Sequence, residues 1–218
     1  MIHLNIMEDR DSWLKARGNR IGGSDAACIV GKNPWRSNVQ LFREKAGLEA
    51  PKDVSNDKAV AYGRKAEPLL RDLFSLDHPE LAVCYEDNNI WTNDDMDFAH
   101  ASLDGWFMDG DEVAGILEIK TATIQNAKQN AQWYKRIPDH YYCQVLWYMM
   151  VTGARFAWVQ ALLRWEHHDG TVTEHIQQYK IDRYPRVETD IRILMQEAER
   201  FWKRIVTKEQ PPLILPSI

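Results

Sequence analysis

No run of about 18 consecutive apolar residues occurs in the 218-residue chain, so a membrane-spanning helix is not expected. The first ten residues, Met1 to Arg10, have no apolar core of the kind that directs secretion. Cysteine is scarce: Cys28, Cys84 and Cys143 are an odd number, far apart and without a Cys-x-x-Cys pair. That excludes a disulfide framework or a zinc ribbon, and reduced, buried thiols in a cytoplasmic protein are expected instead. Positive charge is short too, with 27 Lys and Arg against 32 Asp and Glu for a net charge of −5. A chain that coats nucleic acid by bulk attraction is usually basic. Any nucleic-acid partner must therefore be held by a local basic patch, or through cations collected by carboxylates. No repeat, low-complexity tract or linker divides the sequence, and its most polar stretch, Pro51 to Lys58, is only loop-sized. One domain over residues 1–218 is expected. Aromatics, by contrast, are plentiful: nine Trp, eight Tyr and six Phe exceed what one compact core needs and suggest a buried interface between subunits.

Local signals set out the elements. Ser37 with Gln40 three residues on forms a capping box, and Gly47 stops the helix that follows. Residues 58–76 predict a second helix with a core stripe of Tyr62, Ala66, Leu69, Leu70 and Leu73, kinked at Pro68 or restarted just after Glu67. Residues 98–107 and 112–121 flank Asp109-Gly110, a strong hairpin signal. Residues 123–136 read as polar and helical, and Pro138 opens an amphipathic helix through Val151 that Gly153 ends. A second hairpin, 156–165 with 171–181, turns at Asp169-Gly170. Val187, Ile191, Leu194, Ala198, Phe201 and Ile205 repeat at helical spacing in a long final helix. The order is α, α, β-hairpin, α, β-hairpin, α. It predicts an α/β fold with a small mixed central sheet flanked by helices.

The chemistry concentrates between Asp104 and Lys120. On a strand, side chains alternate, so Glu118 and Lys120 share one face while Leu117 and Ile119 share the other. A hairpin turning at Asp109-Gly110 sets Asp104 across from residues 115 to 117, bringing Asp104 and Glu118 within reach of one ion. The Ile119 carbonyl is a third oxygen, and such a hard donor set suits Mg²⁺ or Mn²⁺. Lys120 is placed to position or deprotonate a water, or to stabilise charge developing on phosphorus. Alternation alone fits an ordinary solvated Glu–Lys face equally well. The neighbouring Ile116, Leu117 and Ile119 favour a buried strand, where charges need a reason.

Further motifs accompany this cluster: Trp13 to Ser24 with Asp25-Ala26-Ala27, then Gly63-Arg64-Lys65-Ala66-Glu67-Pro68, and Tyr141-Tyr142-Cys143-Gln144-Val145. With Asp104 and Glu118-Ile119-Lys120, in this order and spacing, the chain resembles the YqaJ-like viral recombinases, which include the lambda-type phage exonucleases. The resemblance covers roughly residues 10–160, and no motif is placed in the C-terminal quarter. It implies a 5′→3′ exonuclease on double-stranded DNA that leaves a 3′ overhang for a single-strand annealing protein. A homotrimer ring around the DNA and two Mg²⁺ per active site, with Mn²⁺ able to substitute, are implied as well. The fold it implies is a restriction-endonuclease-like core, and the setting is the cytoplasm of a bacterial host.

Residue by residue, the resemblance makes Asp104, Glu118, Glu67 and Ile119 metal ligands, with Lys120 and Gln144 completing the catalytic set. Glu67, unlike an ordinary helix-surface glutamate, is followed at once by Pro68. Gln144 also fits the polar face of an amphipathic helix. Arg17 and Ser24 match the family's pocket for the terminal 5′-phosphate. Gly22-Gly23-Ser24 opens a short helix whose N–H groups suit an anion, although Ser24 also suits a helix cap. Asp25 would oppose an anion and is given no binding role. Lys128 and Lys135, among amides on the 123–136 segment, suit a phosphate backbone. Trp35, in a turn between two helices, fits either base stacking or cover for a core edge. His167-His168 lacks enough neighbouring ligands for a metal. The apolar tail, Pro211 to Ile218, fits docking on another subunit or an annealing protein, or packing on its own domain. Two other classes remain open: a nicking or structure-specific endonuclease on the same fold, and a non-catalytic DNA-end-binding module. A nuclease with an iron–sulfur cluster would need four cysteines.

Overall fold

Residues 1–18, 20–51 and 57–215 are described by the computed structural model of the chain. Asn19, most of the polar 51–58 stretch and the end of the apolar tail, 216–218, lie outside the described residues. A four-stranded sheet in the order β3-β4-β5-β6 organises the molecule. Its strands are β3 (Gly105–Asp109), β4 (Glu112–Thr123), β5 (Phe156–Glu166) and β6 (Val172–Asp182). β4 and β5 are parallel and the two outer pairings antiparallel, so the sheet is mixed. Both hairpins turn where Asp-Gly pairs stand, with Gly110 and Gly170 in the left-handed backbone region at φ +60° and +80°.

Helices cover both faces. α4 (Lys58–Asp77) lays Ala66, Leu70 and Phe74 against Phe107, Leu117, Ile119 and Leu162. On the opposite face α6 (Asp139–Thr152) packs with α2 (Gly23–Ile29) and α7 (Pro185–Thr207). The six apolar positions read for the last helix are all buried in α7. α3 (Asn38–Lys45) keeps the capping box, with the Ser37 N–H donating to Gln40 Oε1 at 2.9 Å. β4, covered on both faces, is buried from Val113 to Ile119. The larger core gathers around α6, where Trp147 and Met149 are fully buried.

Several expectations are corrected. α4 runs unbroken through Pro68 rather than restarting after Glu67. Leu69 is 69% exposed, because the buried stripe follows Ala66, Leu70 and Phe74 instead. α6 is buried around its whole C-terminal half rather than amphipathic, since it lies between the sheet and α2 and α7. The 123–136 segment is helical only at α5 (Ala127–Gln132), because β4 extends to Thr123 along its parallel partner β5. The first hairpin strand begins at Gly105, not 98. Residues 98–103 instead make single bridges, Ala99 to Ile21 and Ala101 to Trp91. Cys84 is half-buried, whereas Cys28 and Cys143 are buried. α1 (Arg10–Gly18) and the two-stranded sheet of β1 (Ile2–Ile6) and β2 (Asn89–Asn93) carry no local signal strong enough to have been read.

Candidate active site

Asp104 immediately precedes β3, and the strand register brings it to Glu118. Gly105 pairs with Leu117, so Asp104 stands opposite Glu118, one residue beyond the expected 115 to 117, because a β-bulge between Phe107 and Met108 adds a residue to β4. The Asp104 carboxylate accepts the Ile119 N–H at 2.9 Å. Alternation then divides β4: Leu117 and Ile119 enter the core beneath α4, and Glu118 and Lys120 face α6. Glu118 is only 1% exposed. Its Oε1 lies 2.5 Å from Lys120 Nζ and accepts Gln144 Nε2 at 2.8 Å, while Oε2 is buried with no partner among the described residues. Gln144 also donates to the Tyr148 hydroxyl at 2.9 Å.

Glu67 approaches from α4. Arg71, one helical turn on, donates to Glu67 Oε1 at 2.7 Å and to the Asp104 backbone carbonyl at 2.6 Å. Its guanidinium also lies 3.3 Å from the centre of the Tyr85 ring. Three carboxyls thus face two cations, Lys120 and Arg71, and the imbalance is visible in their proton affinities. Burial and the Asp104 charge push Glu67 up to about 7, against the pull of Arg71. Burial and the same neighbour raise Glu118, and burial raises Asp104 despite Lys120. Lys120 responds in kind: burial opposes its charge, but Glu118 and Asp104 outweigh that and hold the ammonium protonated. The site is short of positive charge. Among the described residues, no three His, Cys, Asp or Glu side chains converge in a metal-binding arrangement. Arg71, Lys120 with Gln144, and the Ile119 N–H each occupy one carboxylate.

A second group of residues adjoins the cluster. Ile21 bonds to the 98–100 backbone on both sides, its N–H to Phe98 and its carbonyl to the His100 N–H, which brings the start of α2 beside the cluster. Glycine is required there. A Cβ on Gly22 would stand 2.7 Å from the His100 ring, and one on Gly23 2.3 Å from the Tyr148 ring. Arg17, half-buried in the last turn of α1, lies 4.0 Å from the Trp13 ring centre and is close enough to act on the Asp104 charge. Ser24 is exposed on the first turn of α2, and Gly22 rather than Ser24 is the N-cap. Asp25 turns away from this surface. It is buried between Arg36, Lys45 and the Gly22 N–H; burial pushes its carboxyl up, but these partners prevail and hold it at about 2.

The structure therefore brings together Asp104, Glu118, Lys120, Glu67 and Gln144, with Arg17 nearby, while Ile119 offers only its backbone. Lys128 and Lys135 stand exposed on and after α5, without a hydrogen bond or ion pair to the cluster among the described residues. Sequence reasoning missed Arg71, Tyr148, His100 and Ser102. Arg71 had a signal, its position four residues from Glu67 on a helix. Ser102, whose buried hydroxyl has no partner among the described residues, had none beyond its nearness to Asp104.

The sequence profile of the YqaJ-like viral recombinase domain matches residues 12–155. The chain belongs to this family. The matched span of the YqaJ-like domain takes in every residue of the cluster and ends just before β5. YqaJ of Bacillus subtilis strain 168 is 30% identical over 153 residues, covering 70% of this chain and 45% of that one. Protein D345L of African swine fever virus (strain Badajoz 1971 Vero-adapted) is 36% identical over 66 residues, 30% of this chain and 19% of that one. The chain thus spans less than half the length of either relative. Two solved structures share the YqaJ-like fold. The alkaline exonuclease LHK-Exo of Laribacter hongkongensis superposes with a TM-score of 0.64 at 17% identity, over 92% of this chain and 94% of its own. A phage-related exonuclease of Haemophilus somnus 129PT gives 0.55 at 13% identity, over 89% and 98%. Among the described residues, no helix is long and apolar enough to cross a membrane.

Proposed function

We propose that this chain is a Mg²⁺-dependent exonuclease that hydrolyses one strand of duplex DNA from a 5′-phosphorylated end, 5′→3′. The product is a 3′ overhang for a single-strand annealing protein, the chain working as a homotrimer ring in the cytoplasm of a bacterial host. One observation carries the reading: Asp104, Glu118 and Lys120 meet at one end of adjacent strands, with Glu67 and Gln144 brought in by α4 and α6. A buried cluster this costly, holding more carboxylate than cation, has no structural use that apolar residues would not serve better. Its donor chemistry fits a hard divalent cation, and the orphaned Glu118 Oε2 is the clearest sign of one.

Asp104, Glu118, Glu67 and the Ile119 carbonyl would hold two Mg²⁺, with Mn²⁺ as substitute. When bound, such ions supply Lewis-acid stabilisation of the attacking and leaving oxygens. The chain's own side chains do the rest. Gln144 fixes the rotamer of Glu118, and Arg71 ties Glu67 to the Asp104 backbone. Lys120, held as a cation, faces the scissile phosphate and orients the water beside it. Arg17 and Ser24 grip the terminal 5′-phosphate and so register the cut one nucleotide inward, while Lys128 and Lys135 track the backbone. LHK-Exo, of similar fold, is known in complex with dAMP, the kind of ligand this reading requires.

The test is digestion with Mg²⁺ of linear duplex DNA carrying a 3′ label, beside a covalently closed circle. Late loss of the 3′ label with an untouched circle is expected. Cutting of the circle would move the assignment to an endonuclease.

A further inference from the structure

Trp35 is 72% exposed, at odds with a tryptophan that covers a core edge. Its turn, between α2 and α3, is nevertheless firmly held. Asn33 Oδ1 accepts the N–H groups of both Trp35 and Arg36 at 2.9 Å, and the Lys32 and Asn33 N–H groups donate to the Ala27 carbonyl. The indole stands edge-on to His140 at 4.8 Å; His140 lies 4.0 Å from Tyr141, and Lys120 Nζ lies 4.9 Å from the Tyr141 ring centre. An unbroken file of rings thus runs from the cluster to solvent. His140 Nε2 within it is shielded and has no hydrogen-bond partner among the described residues. On the other flank of Tyr141, Trp133 packs at 5.5 Å, and the next residue, Tyr134, is 71% exposed. Lys135 Nζ lies 5.3 Å from the Tyr134 ring centre, on a backbone in the left-handed region at φ +55°.

We propose that Trp35 is a stacking platform for an unpaired base of the DNA strand passing the cluster, the inner rings and the Tyr134–Lys135 flank guiding that strand. This rests on the nuclease reading and adds the path of the strand to it. Exposed aromatic faces beside scattered cations are the ordinary means of holding single strands without sequence preference. The file is short enough for the purpose, since its spacings together span at most about four nucleotides at roughly 3.4 Å rise each. A second protein surface is the competing occupant, and the test separates the two.

The probe is a duplex with a short single-stranded tail carrying 2-aminopurine at one of the four nucleotides nearest the junction, bound with Mg²⁺ to a Glu118→Gln background that prevents cleavage. Quenching is expected at one position. It should be lost with Trp35→Ala and restored with Trp35→Phe, and Trp35→Ala should weaken binding about 5- to 160-fold, the range of a single lost base–aromatic stack. Fluorescence and affinity unchanged by Trp35→Ala, on DNA that is bound and cut normally by the unsubstituted chain, would overturn the inference and leave the nuclease reading intact. A shift in oligomeric mass without a fluorescence change would reassign Trp35 to a subunit contact. Failure of every form to bind or cut DNA would remove the nuclease reading itself.

Discussion

Glu118 shows how function and stability oppose one another in a single side chain. Its carboxylate is buried beside Asp104 and Glu67, and two cations do not balance the three. Removing one partner of a buried pair commonly costs about 3–5 kcal/mol, but here loss of Glu118 leaves two carboxylates facing two cations. In excess EDTA, Glu118→Gln should therefore unfold at or above the wild-type temperature, whereas Lys120→Ala should unfold well below it; thermal denaturation of the two variants checks this. His100 offers a different residue-scale test. Burial, and then Arg17, push its imidazole down to about 3, so it is neutral in the fold. Its folded value lies below the unfolded one of about 6.5, so its contribution is intact above pH 6.5 and is lost as pH falls toward 3. The loss is up to about 1.4 kcal/mol per pH unit. Urea midpoints at pH 7 and pH 5 should differ less for His100→Gln than for the wild type.

At the scale of elements, the close approach of α2 to α6 fixes the geometry around Gln144. Gly23→Ala would press a methyl to 2.3 Å from the Tyr148 ring, costing about 1–3 kcal/mol. By shifting the hydroxyl that holds Gln144 it should also slow cleavage; unfolding and cleavage measured on one preparation test both effects. The elements also show what was legible in the sequence. Caps and turns are local and read well: the Ser37–Gln40 box, Pro138 before α6, Gly153 after it at φ +72°, and both Asp-Gly hairpins. The alternation of Glu118 and Lys120 against Leu117 and Ile119 needs nothing beyond strand periodicity. What failed depends on distant partners. β1 exists only because Ile2–Ile6 pairs with Asn89–Asn93. Leu69 was placed in the core by helical periodicity, yet the face buried is the one that meets β4. Arg71 acts because the Asp104 backbone arrives beside α4, and Tyr148 because α2 does; neither approach is written in local spacing.

For the molecule as a whole, the acidic balance and the carboxylate cluster are two views of one property. Under the proposed function, a chain of net charge −5 with an under-neutralised acidic site should repel phosphate until cations arrive. The sheet serves this arrangement: β4 and the residue just before β3 carry the charges, α6 holds Glu118 through Gln144, α4 brings Glu67 and Arg71, and α1 brings Arg17 nearby. The proposed function makes Asp104, Glu118 and Lys120 a hydrolytic centre fed from a 5′ end. Its most direct measurement is the rate at which 5′ label leaves linear duplex DNA in Mg²⁺, compared between the wild type and Glu118→Gln, the variant expected to fold at least as well. Early release by the wild type and release at least about 100-fold slower by the variant is the expected result. Equal rates, or label retained by both while the DNA is degraded, would contradict it.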